Sequence, residues 1–469
     1  MIVPDSPPLL PFRRGSALSP GAALIALLAA AAALALALIP QPTTSDRLFL
    51  TFAREHAEMY RPILAKRATD DAPALRQISL PALERRLMAS AMSGTRVADL
   101  FEVEKNSIGR AFLGPLDAVP FLDLTDRLRR DGLLDRINPP SFSPWTSRGR
   151  IFGIPHDVHP VMLGYRADIL EAAGIDASSI ETWDDFERLL RPLMDTDGDG
   201  RPDRFLLNMW ESNTDHLEVL LLQAGGGLFD DQGRVVIDSE INAAVLARIA
   251  AWCAGPARIA ADAPNFSASG NRLKAEGFVI ASFFPDWMGA IWQREIPQLA
   301  GKVKLMPLPA WTPGGRRTSV WGGTALVIPT SALRSPGDAD RLYNFAKDLY
   351  LSDDLARALW TDGGIITPVR DLWDNPIFDQ PSPYFAGQPV GRMYINLAHD
   401  VPDRPGSPFN ALAARRVTTA LVELTRRARD AGGMDEPDRL ALARALLADA
   451  AAQVRGMVQR NRFLGDVTP

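Results

Sequence analysis

Residues 149–175 read GRIFGIPHDVHPVMLGYRADILEAAGI. RIFGIP, at 150–155, is a short apolar run stopped by proline, which reads as a strand. PHDVHP then places His156, Asp157 and His159 between two prolines. His-x-x-His with an aspartate is a metal-ligand pattern when both rings share a helical face. Flanking prolines deny this segment a helix, so a hydrogen-bonding wall is the better reading.

On either side, apolar runs alternate with helical stretches, which argues for an α/β protein. Residues 47–52 (RLFLTF), 96–103, 277–284, 302–309 and 323–329 read as further strands. Helical patterns cover 81–92, 338–351 and 353–360. Near the C-terminus, Leu440, Ala443, Leu447, Ala450, Val454 and Met457 recur at spacings of three and four, giving one apolar face for core packing. Asp435-Glu436-Pro437 starts that helix, and Gly432-Gly433 ends the one before.

The 469-residue chain is 46% hydrophobic and 23% charged, the composition of a globular protein of two or three domains. With net charge −5 and no basic stripe, nucleic acid is not an expected partner. Cys253 is the single cysteine, which excludes an internal disulfide and a multi-cysteine metal site.

Arg13-Arg14, an uncharged apolar run at 21–39 and the break Pro40-Gln41-Pro42 have the layout of a secretory signal. Ala35 and Ala37 offer an A-x-A cleavage site. The alternative is a retained membrane anchor, since the run is just long enough to span a bilayer. No cysteine follows it, so no lipoprotein anchor is expected.

A helix beginning at Trp183 can be capped by Thr182, with Asp185 completing a capping-box variant. Pro192 weakens its last turn, and DTDGDGRPD follows at 195–203. Asp195, Asp197 and Asp199 occupy positions 1, 3 and 5 of a calcium loop, Gly200 position 6, Arg201 (by its carbonyl) position 7 and Asp203 position 9. Position 12 holds Leu206 instead of a bidentate glutamate, and RFLLNM reads as a strand rather than a second helix. The loop is therefore either a structural calcium site or a solvated acidic turn, not a calcium sensor.

Several segments in series resemble the family 1 extracellular solute-binding proteins of ABC transporters, the maltose-binding-protein type. They are VPFLDLTDRLRRDGLLD (119–135), the 149–175 stretch, ETWDDFERLLRPLMDTDGDGRPDRF (181–205), LLLQAGGGLFDDQGRVVIDS (220–239), FFPDWMGAI (283–291) and MPLPAWTPGGRRTSVWGGTALVIP (306–329). The resemblance implies a two-lobe periplasmic-binding-protein fold of type II, with discontinuous α/β lobes, a helical C-terminus and ligand in the interlobe cleft. Hinge crossings are expected near 155–160, 309–319 and 371–380. Residues 1–45 would be signal or anchor plus linker, 46–156 with 318–372 the first lobe, and 157–317 with 373–469 the second.

Sugars are held by planar polar groups around their hydroxyls and aromatic rings against their C–H faces. Candidates are His156, Asp157 and His159 at the hinge; Trp210, Glu211 and Asn213; Asp286 and Trp287; and Trp321 beside Gly322 and Gly323. In the first lobe Glu104 and Asn106 are available, and Phe409 matches a cleft aromatic of the family. The family supplies a ligand carboxylate near the position of His159, and its first-lobe aromatic is replaced by Val103. Trp210 and Phe409 read equally as packing residues. The resemblance implies an exported, monomeric, non-enzymatic binding protein that delivers a sugar or similar polyhydroxylated solute to an ABC permease. No nucleophile–base motif or P-loop is present in the sequence. The rivals are a glycan-processing enzyme using carboxylates such as Asp157 and Glu211, and a membrane-anchored protein of the same fold that presents ligand to a receptor.

Overall fold

The computed structural model describes residues 47–67 and 72–461, together with Gly21, Leu27 and Phe463. Gly21 and Leu27 are helical; the rest of the proposed signal or anchor, Ala35 and Ala37 included, lies outside the described residues. The strands in chain order are β1 (Leu48–Thr51), β2 (Ala74–Gln77), β3 (Leu100–Glu104), β4 (Thr146–Ser147), β5 (Arg150–Ile151) and β6 (Ile154–Pro155). They continue with β7 (Val161–Arg166), β8 (Phe205–Asn208), β9 (Ala260–Ala261), β10 (Val279–Pro285), β11 (Val303–Pro307) and β12 (Thr324–Val327).

Two five-stranded sheets result, ordered β2-β1-β3-β12-β6 and β11-β7-β10-β8-β9. β12 runs antiparallel to β3 and β6, and β7 antiparallel to β10 and β11, while the remaining pairs are parallel. The chain leaves the first sheet after β6, enters the second at β7, and returns at β12. RIFGIP is thus two short strands, β5 and β6, separated by Phe152 and Gly153, and the PHDVHP segment connects the sheets.

Strand alternation divides the first sheet's packing between two faces. Phe49, Leu100 and Leu326 pack with Tyr343, Leu349 and Leu359. Their neighbours Leu50, Phe101, Ala325 and Val327 pack with Leu83 and Leu87 on the other face. The second sheet shares one continuous core with the helices Asn410–Asp430 and Glu436–Arg460. In the last helix Ala443, Leu447, Ala450 and Val454 are buried, as the spacing predicts. Among the described residues no helix is long and apolar enough to cross a membrane.

The Thr182 capping box forms as read. Thr182 Oγ1 accepts from Asp185 N at 3.1 Å, and Thr182 N donates to Asp185 Oδ2 at 3.1 Å. The helix ends at Leu190, and a 3-10 turn carries Pro192 into the acidic loop. There Gly198 and Gly200 adopt left-handed φ of 79° and 85°, so the loop turns sharply. Oxygens of Asp195, Asp197 and Asp203 lie within 4.8 Å of one another. The Asp199 carboxylate falls outside that group and accepts from Arg201 N at 2.8 Å. Leu206 is buried in β8.

Candidate functional site

The glycines 322 and 323, just before β12, sit where the two halves of the candidate site meet. Their φ values of 110° and 137° suit only glycine. A Cβ on Gly322 would lie 2.7 Å from His159 Cδ2 and 3.2 Å from Trp287 Nε1; one on Gly323 would lie 3.0 Å from Arg404 Nη2.

On the Gly322 side lies a buried charge network. His159, held at a φ of 57° uncommon for a non-glycine residue, turns one ring nitrogen to each of two aspartates. Nδ1 is 2.7 Å from Asp286 Oδ1 and Nε2 is 3.1 Å from Asp157 Oδ2. Burial opposes charge on the ring, but Asp157 and Asp286 overcome it and raise the His159 pKa to about 10. The ring is therefore an imidazolium donating to both carboxylates. Burial likewise opposes charge on Asp157, and His159 and His156 hold its pKa well below the ordinary value. Asp157 also accepts from Thr324 N at 3.1 Å, and Asp286 from Trp287 N and Ile366 N, each at 2.8 Å. This network joins the end of β10 in the second sheet to β12 in the first. His156 is wholly buried against His56, its ring 4.5 Å away, and its pKa is lowered by burial and by His56.

Next to Asp286, Trp287 donates through Nε1 to the Trp321 carbonyl at 3.0 Å, and the two rings meet edge to face at 5.4 Å. Phe266 stacks on Trp287 at 6.1 Å and 14° while remaining 63% exposed. Trp321 contacts His216 at 5.0 Å, and His216 contacts Trp210 at 5.3 Å. Burial and Lys274 lower the His216 pKa to about 3, so that ring is neutral and packs as an aromatic.

On the Gly323 side a cavity of about 960 Å³ opens between the sheets. It is lined by the turn after β3 (Lys105–Leu113), the helix Thr214–Gln223, the loop 225–230 and residues 402–417. Lys105 N donates to the Gly323 carbonyl at 3.0 Å, and its Nζ to Glu218 Oε2 at 2.7 Å. Arg404, nearly buried, donates to the Gly322 carbonyl. Glu104 accepts from Asn106 N at 2.8 Å and so caps the turn. Burial pushes its pKa up to about 7, against the opposing pull of Lys105.

The candidate residues thus fall into three places. Asn106 and Phe409 line the cavity, and Glu104 caps the turn that carries Asn106 without lining it. His156, Asp157, His159, Asp286, Trp287, Trp321, Gly322 and Gly323 form a junction that meets the cavity lining through Arg404, with the polar members bonded to one another. Trp210, Glu211 and Asn213 lie beyond: Glu211 pairs with Arg429 at 2.9 Å, and Asn213 caps the helix Thr214–Gln223 by accepting from His216 N. Asp157 and Glu211, the carboxylates of the enzyme alternative, are therefore each bound to cationic partners in different places. Lys105, Glu218, Phe266 and Arg404 were not singled out from the sequence. Phe266 was the most accessible of them, a lone aromatic in the polar turn PNFSAS.

Comparison with known proteins agrees with this architecture. Over 386 residues the chain is 26% identical to an arabinooligosaccharide-binding protein of Halalkalibacterium halodurans, covering 80% of this chain and 83% of that protein. An arabinooligosaccharide-binding protein of Bacillus subtilis is 24% identical over 367 residues, 76% of this chain and 81% of that protein. Among solved structures, the sugar-binding protein MalE from Xanthomonas citri superposes with a TM-score of 0.69 at 16% identity, over 88% of this chain and 99% of that one. That likeness shows a shared type II binding-protein fold. The sequence profile of bacterial extracellular solute-binding proteins matches residues 75–348, and with two sheets joined through His159, Gly322 and Gly323 around a cleft, this chain belongs to that family.

Proposed function

We propose that this protein captures a sugar or oligosaccharide in the cleft between its sheets and delivers it to the permease of an ABC importer, without catalysing a reaction. The observation that carries the reading is the cavity of about 960 Å³, roomy enough for more than one sugar ring and bordered by planar polar and aromatic side chains. The arabinooligosaccharide binding of the two relatives supports carbohydrate as the ligand class. We assign 46–156 with 318–372 to one lobe and 157–317 with 373–469 to the other, acting as a monomer. Thermal shift against a panel of pentose and hexose oligosaccharides tests the reading. At least one should raise the melting temperature in a dose-dependent way, and a panel without any stabiliser would refute it.

Export through the N-terminal apolar run is part of the same proposal, with mature protein beginning near Leu38. Intact mass of protein from its native host checks this; a chain retaining residues 1–37 indicates the anchored, ligand-presenting form instead.

We further propose that the acidic loop holds one calcium ion as a structural brace. Asp195, Asp197 and Asp203 form a hard oxygen donor set at suitable spacing, while position 12 contributes none. At tenfold excess over Kd, an ion bound only by the folded state adds about 1.4 kcal/mol. Chelator should therefore lower the melting temperature, and Asp197→Ala should remove the chelator's effect. Equal melting with and without chelator means an acidic turn alone.

A further inference from the structure

The cleft's charges are unevenly satisfied. Of its four lining carboxylates, Glu218 pairs with Lys105 and Asp230 with Arg234, while Glu84 and Asp403 accept from the hydroxyls of Ser107 and Ser143. The lining arginines differ. Arg404 and Arg316 donate only to main-chain carbonyls, of Gly322 and Leu222. Arg110 and Arg415 are exposed to the cleft, and neither side chain makes a hydrogen bond or ion pair among the described residues.

A guanidinium is costly to bury without an anion. Arg404 is only 9% exposed, so its charge has little water to face. Its planar donors match a carboxylate in a two-point grip. The pull of water is replaced in part by Glu218, Asp157 and Glu104, none of which reaches hydrogen-bond distance of it. The whole chain is acidic, with net charge −5, whereas the cavity lining carries five cationic side chains (Lys105, Arg110, Arg316, Arg404 and Arg415) against four carboxylates.

Resting on the carbohydrate reading above, we propose that the cleft selects a sugar chain carrying a carboxylate, of the uronic-acid class, with Arg404, Arg110 and Arg415 as its counter-charges. A phosphate also suits arginine, but the carboxylates of Glu84, Glu218 and Asp230 surround the same space and oppose a dianion more strongly than a single negative charge.

The test is calorimetric titration of the purified protein with length-matched pairs: uronic-acid oligosaccharides against neutral pentose and hexose oligosaccharides, with sugar phosphates as a third arm. The acidic sugar should bind at least about tenfold more tightly than its neutral match. That ratio should shrink with added salt and in Arg404→Gln. Should Arg404→Gln fail to fold, the exposed pair Arg110→Gln and Arg415→Gln gives the same reading, each lowering the acidic-to-neutral ratio. Neutral sugars binding as well as or better than acidic ones overturns this inference and leaves the carbohydrate reading intact. Binding of phosphates in preference to uronates also overturns it. If none of the three classes binds, the carbohydrate reading itself falls and takes this inference with it.

Discussion

Replacing Asp286 by alanine should destabilise the fold by about 3–5 kcal/mol, because one partner of a buried, hydrogen-bonded charge network is removed and the rest is left behind. Asp286 is 2% exposed, and its two oxygens serve His159, Trp287 N and Ile366 N. Its loss uncouples the end of β10 from the segment after the helix Asp353–Gly363. The same network predicts a pH dependence. The folded-state pKa of His159 is raised to about 10, against about 6.5 in an unfolded chain. A raised histidine contributes stability that is fully present below its unfolded pKa and is lost as pH rises through its folded pKa. Wild-type stability should therefore decline between about pH 6.5 and 10. Urea unfolding across that range in wild type, Asp286→Ala and His159→Gln checks both parts. The decline should be shallower in Asp286→Ala and absent from the His159 contribution in His159→Gln. An unchanged slope in all three proteins would mean the ring is not the charged bridge described above.

Local chemistry was legible in the sequence, and long-range pairing was not. The Thr182–Asp185 box, the Pro192 stop and the buried stripe Ala443–Leu447–Ala450–Val454 depend on residues within a few positions of one another, and each forms as read. ALRQ at β2 gave no strand signal, since it is an edge strand with exposed and half-buried positions. The roles of polar residues were harder. Glu211 was as good a sugar ligand as any in the sequence until Arg429, far along the chain, took its carboxylate. His159 and Asp286 lie 127 positions apart, so nothing local showed that each would occupy the other. Arg404 sits in the loop VPDRPG, where an arginine reads as solvated until the fold closes around it. The unusual features that did point to the junction, paired prolines around PHDVHP and the adjacent glycines 322 and 323, were backbone signals rather than ligand signals.

Trp287→Ala should weaken sugar binding by about 2 kcal/mol, roughly thirtyfold in Kd. About 1 kcal/mol comes from the stacked contact itself, and the remainder from apolar ring surface no longer covered, at about 25 cal/mol per Å². The ring is held in a fixed orientation: Nε1 is tied to the Trp321 carbonyl, Trp321 meets it edge to face, and Phe266 stacks nearly parallel to it at 6.1 Å. Phe266→Ala is the more incisive variant. Phe266 is 63% exposed without ligand, so its removal should leave melting nearly unchanged while weakening binding about fivefold. Trp287→Phe keeps an aromatic face and loses only the bond to Trp321, worth about 1 kcal/mol to stability; its affinity should fall between wild type and Trp287→Ala. Trp287 and Phe266 do not line the 960 Å³ cavity on the Gly323 side, so these variants also locate the ligand. If Trp287→Ala and Phe266→Ala both bind sugar as wild type does, the ligand lies entirely among Lys105, Arg404 and Phe409, and the aromatic pair is packing. If affinity falls in the order Phe266→Ala, then Trp287→Ala, the ligand extends from the cavity past His159 and Arg404, which pack against Gly322 and Gly323, to reach the aromatic pair.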